Sequence, residues 1–156
     1  MAERMRRKTA RYAGFALAVA ALLAILGAVI LRLQALPRSP QPVAWGRETC
    51  ARCNMHISDP RFAAQLQTKD GRILNFDDPG CLVLYEAEQK PDVHAMYFRA
   101  FNEDRWLSLD QVAFVDGQTT PMAYGFGAVP RATPGAISYA DVRQRLIEHS
   151  KREARP

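Results

Sequence analysis

The longest apolar run of the chain begins at Tyr12 and continues as AGFALAVAALLAILGAVIL to Leu31, without a charged side chain. A helix of about 20 apolar residues matches the hydrocarbon thickness of a bilayer, so residues 12–31 predict a transmembrane anchor. Beyond Leu31 the pattern breaks into short periods. Phe62–Thr68 and Arg72–Phe76 flank Asp70-Gly71, whose two residues tolerate positive φ, and this predicts an antiparallel hairpin. Asp77-Asp78-Pro79 then supplies a helix N-cap and a proline for the first helical position. The helix runs through CLVLYEAEQ to Lys90-Pro91, with Cys81 in its first turn.

His94–Phe101 is rich in strand formers, Asn102-Glu103-Asp104 turns the chain, and Arg105–Leu109 pairs back. Gln111–Val115 is a further strand, closed by an Asp116-Gly117 turn and a loop. From Ser138, with Asp141 as its capping partner, YADVRQRLIEHS is an amphipathic helix whose apolar residues are Val142, Leu146 and Ile147. The fold class is therefore α+β. An N-terminal transmembrane helix precedes a small domain of antiparallel hairpins and a helix, in ββαβ-type units, and a C-terminal helix.

The domain plan follows from these elements. Residues 1–11 form a basic cytoplasmic segment, 12–31 the anchor, 32–46 a linker, 47–150 the extracytoplasmic domain and 151–156 a tail. Pro37, Pro40 and Pro42 make the linker a semi-extended spacer. Solenoid repeats and low-complexity tracts are absent from the sequence.

Charge refines the topology. The formal charge is +5, but seven Lys and Arg residues lie within positions 1–38 against the single acid Glu3. The other 118 residues hold 14 basic and 15 acidic side chains, which argues against nucleic-acid binding. Arg4, Arg6, Arg7, Lys8 and Arg11 precede the apolar run and only Arg32 and Arg38 follow it closely. The positive-inside bias thus predicts a single-pass protein of the cytoplasmic membrane with its domain in the periplasm. A cleaved signal peptide is the competing reading; the apolar run exceeds a typical h-region, and RLQALPRSP offers no small-residue cleavage site. A lipid anchor is disfavoured because no cysteine precedes Cys50.

The chemistry concentrates in Cys50-Ala51-Arg52-Cys53-Asn54-Met55-His56. Two thiols, a thioether and an imidazole are soft donors that favour Cu(I) over magnesium, calcium or manganese. In an extended segment Cys53 and Met55 share a face and reach one ion without closing a cage, as a carrier requires. Thioether donors also suit an oxidising compartment, because methionine forms no disulfide. Cys50 is either a third ligand or a disulfide partner, and His56 either completes the site or faces solvent. Two bland readings compete: the CxxC of a thiol oxidoreductase, and a structural zinc site of Cys50, Cys53, His56 and Cys81. Asp77-Asp78 is explained by helix capping, and no nucleophile, base and orienting acid assemble, so a binding protein rather than an enzyme is expected.

Four segments, in order, resemble the NosL family, the accessory proteins of nitrous oxide reductase assembly. They are CARCNMHISDPRFAA, DGRILNFDDPGCLVLY, RWLSLDQVAFV and TPMAYGFGA, together covering roughly Arg47 to Ala128. The resemblance implies a membrane-attached periplasmic Cu(I) chaperone that supplies the copper-sulfide centre of nitrous oxide reductase, with that enzyme and its assembly machinery as partners. It assigns copper to Cys53 and Met55, and adds Met122, which matches the methionine before the family's glycine signature. The chain departs from the family pattern in three places. Asn54 stands for a glycine, a transmembrane segment replaces the lipoprotein cysteine, and VPRATPGAIS follows Gly127 in place of a longer helical connection.

Overall fold

The computed structural model describes residues 17, 19–30 and 36–153. It divides into two compact units, Met1–Leu36 and Pro37–Pro156. In the first, residues 19–30 are helical (α1), with Leu22, Leu23, Ile25 and Leu26 exposed. The anchor expected at 12–31 lies partly outside the described residues. Among those described, no helix is long and apolar enough to cross a membrane. The basic segment 1–11 and residues 154–156 of the tail lie outside the description.

The second unit contains β1 (Ala64–Thr68), β2 (Ile73–Phe76), α2 (Pro79–Gln89), β3 (Val93–Arg99), β4 (Trp106–Ser108), β5 (Val112–Val115), β6 (Gly127–Pro130) and α3 (Tyr139–Glu153). Four strands form an antiparallel sheet in the order β2-β1-β3-β4, and β5 and β6 form a second antiparallel pair. The α+β class with antiparallel hairpins holds for this unit.

Strand β1 lies between two neighbours and is buried along its whole length. Register places Ala64 and Leu66 beside Phe76 and Leu74 on one side, and beside Phe98 and Met96 on the other. These residues share one face, which α2 covers. On the opposite face Gln65 and Gln67 are buried polar groups and need partners. The segment after Pro37 supplies them. Gln41 N–H donates to Gln65 Oε1 at 2.7 Å, and Gln65 and Gln67 donate to the carbonyls of Gln41 and Ser39 at 3.1 and 2.8 Å. Part of the sequence read as spacer is thus bonded to the sheet.

The β1–β2 turn departs from the expected two-residue form. Only Gly71 takes positive φ, at +87°, and paired register begins at Gln67 and Ile73. The Asp70 carboxylate instead accepts from Arg72 Nε at 2.9 Å, and Gly71 N–H donates to Thr68 O at 3.0 Å. The glycine alone carries the left-handed step of a wider turn.

Helix α2 forms where capping predicts it. Asp78 is the N-cap, accepting from Gly80 N–H at 2.8 Å, and Pro79 occupies the first position. Lys90, at φ +46°, ends the helix before Pro91. The sequence reading left 127–130 as loop, whereas Gly127–Pro130 is a strand paired through Phe114 and Ala128. At Gly127 an added Cβ would lie 2.8 Å from the Phe101 ring, so this glycine serves close packing there. An edge contact between Phe98 and Phe114, 5.2 Å between centroids, joins the two sheets. Helix α3 buries Val142 and Leu146, is preceded by Ser138, whose Oγ accepts from Asp141 N–H at 3.2 Å, and reaches α2 through Arg143–Glu86 at 2.8 Å.

Candidate metal centre

The CxxC segment is a closed turn, not the extended run expected from sequence. Cys50 N–H donates to Met55 O at 2.8 Å and Asn54 N–H to Cys50 O at 3.0 Å, while Thr49 bridges His56. Asn54 makes the reversal at φ +61°, a conformation asparagine tolerates better than most side chains. Strict alternation therefore does not set the relation of Cys53 to Met55. The turn is tied down on two sides. Ala51 N–H donates to Asn75 O of β2 at 2.9 Å, and Arg52 reaches across to α2. Its guanidinium bonds both oxygens of Glu88, at 2.8 and 3.2 Å, and Tyr124 Oη at 2.7 Å.

This closure faces Cys50 and Cys53 toward the start of α2, where Cys81 sits in the first turn. The sulfurs of Cys50, Cys53 and Cys81 and a carboxylate oxygen of Asp77 all lie within 4.8 Å of one another. Cys50 and Cys81 are fully buried, Asp77 is nearly so, and Cys53 is half-buried at the mouth. All three thiols are free. Cys53 Sγ donates to Asp77 Oδ1 at 3.4 Å, and Asp77 Oδ2 is buried with no hydrogen-bond partner. Such a carboxylate is costly unless something positive meets it. The Asp pair thus divides. Asp78 caps α2 and also accepts from Met122 N–H at 3.0 Å, while Asp77 points into the thiol cluster.

Protonation follows the geometry. Pairing with the neighbouring Cys81 thiol brings Cys50 down to about 6 despite its burial. The same pairing, together with burial, pushes Cys81 far above the ordinary thiol range. Burial, followed by the neighbouring Cys50, raises Cys53 to about 11.

His56 is exposed and does not belong to the cluster; Asp77 takes the place it was given in the zinc arrangement. Met55 is 50% exposed on the same turn. Met122 is partly buried, packed against the core and hung from Asp78 through its backbone. Between α2 and the Met122 loop, Gly80 is required. A Cβ there would come within 2.4 Å of the Tyr124 ring.

Comparison with known proteins adds little to this geometry. No protein-family model matches the chain, and no curated protein matches it. Among solved structures, the copper chaperone NosL from Shewanella denitrificans is similar at 21% identity, over 72% of this chain and 88% of that chain, with a TM-score of 0.48. The donor set itself indicates chemistry. Three thiolates around a Zn–S length of about 2.3 Å would stand roughly 3.8 Å apart, so the cluster needs only a small contraction to close on an ion. Thiolates select Cu(I) or zinc over hard cations.

Proposed function

We propose that the chain binds Cu(I) as cargo at Cys50, Cys53 and Cys81 and passes it to a client cuproenzyme. The observation that carries the reading is three free thiols converging beside a buried carboxylate oxygen that has no partner. Two of the sulfurs are shielded from solvent, while Cys53 stands at the mouth where an acceptor's ligand can attack. Met55, exposed on the same turn next to His56, and Met122 are the thioether donors that would take the ion as it leaves. The resemblance of the four sequence segments to the NosL family supports nitrous oxide reductase as the client. The apolar, exposed residues of α1 and the N-terminal cluster of basic residues support attachment to the cytoplasmic membrane, with the domain in the periplasm.

A structural zinc site is the second reading, favoured by Asp77, which supplies a fourth donor for a tetrahedral S3O set. The two readings separate in one titration. Detergent-solubilised full chain competes for Cu(I) with a chromophoric chelator, alongside Cys50→Ser, Cys53→Ser, Met55→Leu and Met122→Leu. Each cysteine variant is expected to lose more than the roughly 10- to 100-fold that removing an outer-shell partner costs. The methionine variants are expected to slow release to an acceptor. Cysteine variants that bind Cu(I) as tightly as the parent, while zinc removal unfolds the parent, would establish the zinc reading instead.

A further inference from the structure

The same three thiols differ in access, and that difference also governs how they would meet an external disulfide. Cys50 and Cys81 have no exposed surface, whereas Cys53 is open to solvent in part. Cys50 and Cys53 sit on one short turn closed by the Asn54 N–H to Cys50 O bond, so they can approach by adjusting that turn. Cys81 is fixed in the first turn of α2, its N–H bonded to Asp78 O at 3.0 Å, and cannot shift without the helix. The Cys50 and Cys53 sulfurs lie within 4.8 Å of each other, and a disulfide of about 2.05 Å requires the turn to close that gap.

The geometry points to a thiol–disulfide exchange site in which Cys53 is the entry thiol, Cys50 the resolving thiol and Cys81 the reserved one. The co-reactant is a disulfide of small enough reach, peptide or protein. Cys53 attacks one of its sulfurs as its proton passes to the Asp77 carboxylate that it already bonds, forming a mixed disulfide and releasing the first leaving thiolate. Cys50 then attacks Cys53 Sγ, forming the Cys50–Cys53 bond and releasing the second. Two thiols here lose two electrons in total, the external disulfide gains them, and the protons pass to the two released thiols. Closing this bond removes two of the three sulfurs from the centre, so oxidation and metal occupancy exclude each other. The inference does not depend on which ion the centre takes.

The test uses metal-free full chain with glutathione disulfide as the probe, quenched in acid, alkylated and mapped by mass spectrometry. The expected product has lost two hydrogens, carries a Cys50–Cys53 link, and leaves Cys81 alkylated once denatured. Cys50→Ser is expected to stop at a stable glutathione adduct on Cys53. Cys53→Ser is expected to react about tenfold or more slowly, since no entry thiol is exposed. A parent protein that stops at the adduct, a link to Cys81, or a Cys50→Ser variant modified at Cys81 rather than Cys53 would overturn the assignment. If Cys53→Ser is unfolded by circular dichroism, the Cys50→Ser trap decides alone. Because no metal is present, failure of the copper reading leaves these outcomes unchanged.

Discussion

Asp77 and Asp78 are adjacent, chemically identical and both buried, yet their carboxylates do different things. Asp78 holds Gly80 N–H and Met122 N–H, so one side chain starts α2 and fixes the 122 loop. Asp78→Ala is expected to cost about 2–3 kcal/mol, the sum of a lost N-cap and a stranded buried donor, read as a lower urea midpoint. The cap was legible from Asp-Pro spacing. The place of Asp77 was not, because a capping pattern identifies one carboxylate and says nothing about where its neighbour points. His56, by contrast, is exposed. Proximity in sequence to two cysteines does not bring a side chain inward when the turn closes through Cys50 and Met55 backbones.

At the scale of elements, the site depends on how tightly the CxxC turn, α2 and the 122–124 loop approach. Gly80 is the contact point, and Arg52 is the clasp that reaches Glu88 and Tyr124. Gly80→Ala is expected to cost about 1–3 kcal/mol by overpacking the Tyr124 ring, and to weaken metal binding together with the Arg52–Tyr124 bond. Thermal unfolding and Cu(I) competition on that variant check both. The hairpin, α2 and α3 were legible because caps, turns and periodicity agree locally. Strand β6 was not, since Gly127–Pro130 has a glycine, a proline and only four residues, and its strand character comes from pairing with β5. The extended reading of the cysteine segment failed for the same reason. Its shape is set by bonds to Asn75, Glu88 and Tyr124, far away in sequence.

For the whole molecule, loading an ion must change the proton count. The Cys50 thiol is brought down to about 6, while Cys53, at about 11, and Cys81 are pushed above the ordinary thiol range. Binding through three thiolates at pH 7.5 is therefore expected to release about two protons, seen by calorimetry in buffers of different ionisation enthalpy. The sign follows. Protons compete with the ion, so affinity falls as pH falls, by about a hundredfold per unit above pH 6 and more steeply below it. The charge asymmetry that predicts the topology was legible in full, because it is a property of composition, while the convergence of Cys81 on the CxxC turn is a property of the fold. The most direct test of that convergence is X-ray absorption of the Cu(I)-loaded full chain and its Cys81→Ser variant. The account predicts a first shell of sulfur alone that loses one sulfur in the variant. A shell containing nitrogen, or one unchanged by Cys81→Ser, would contradict it.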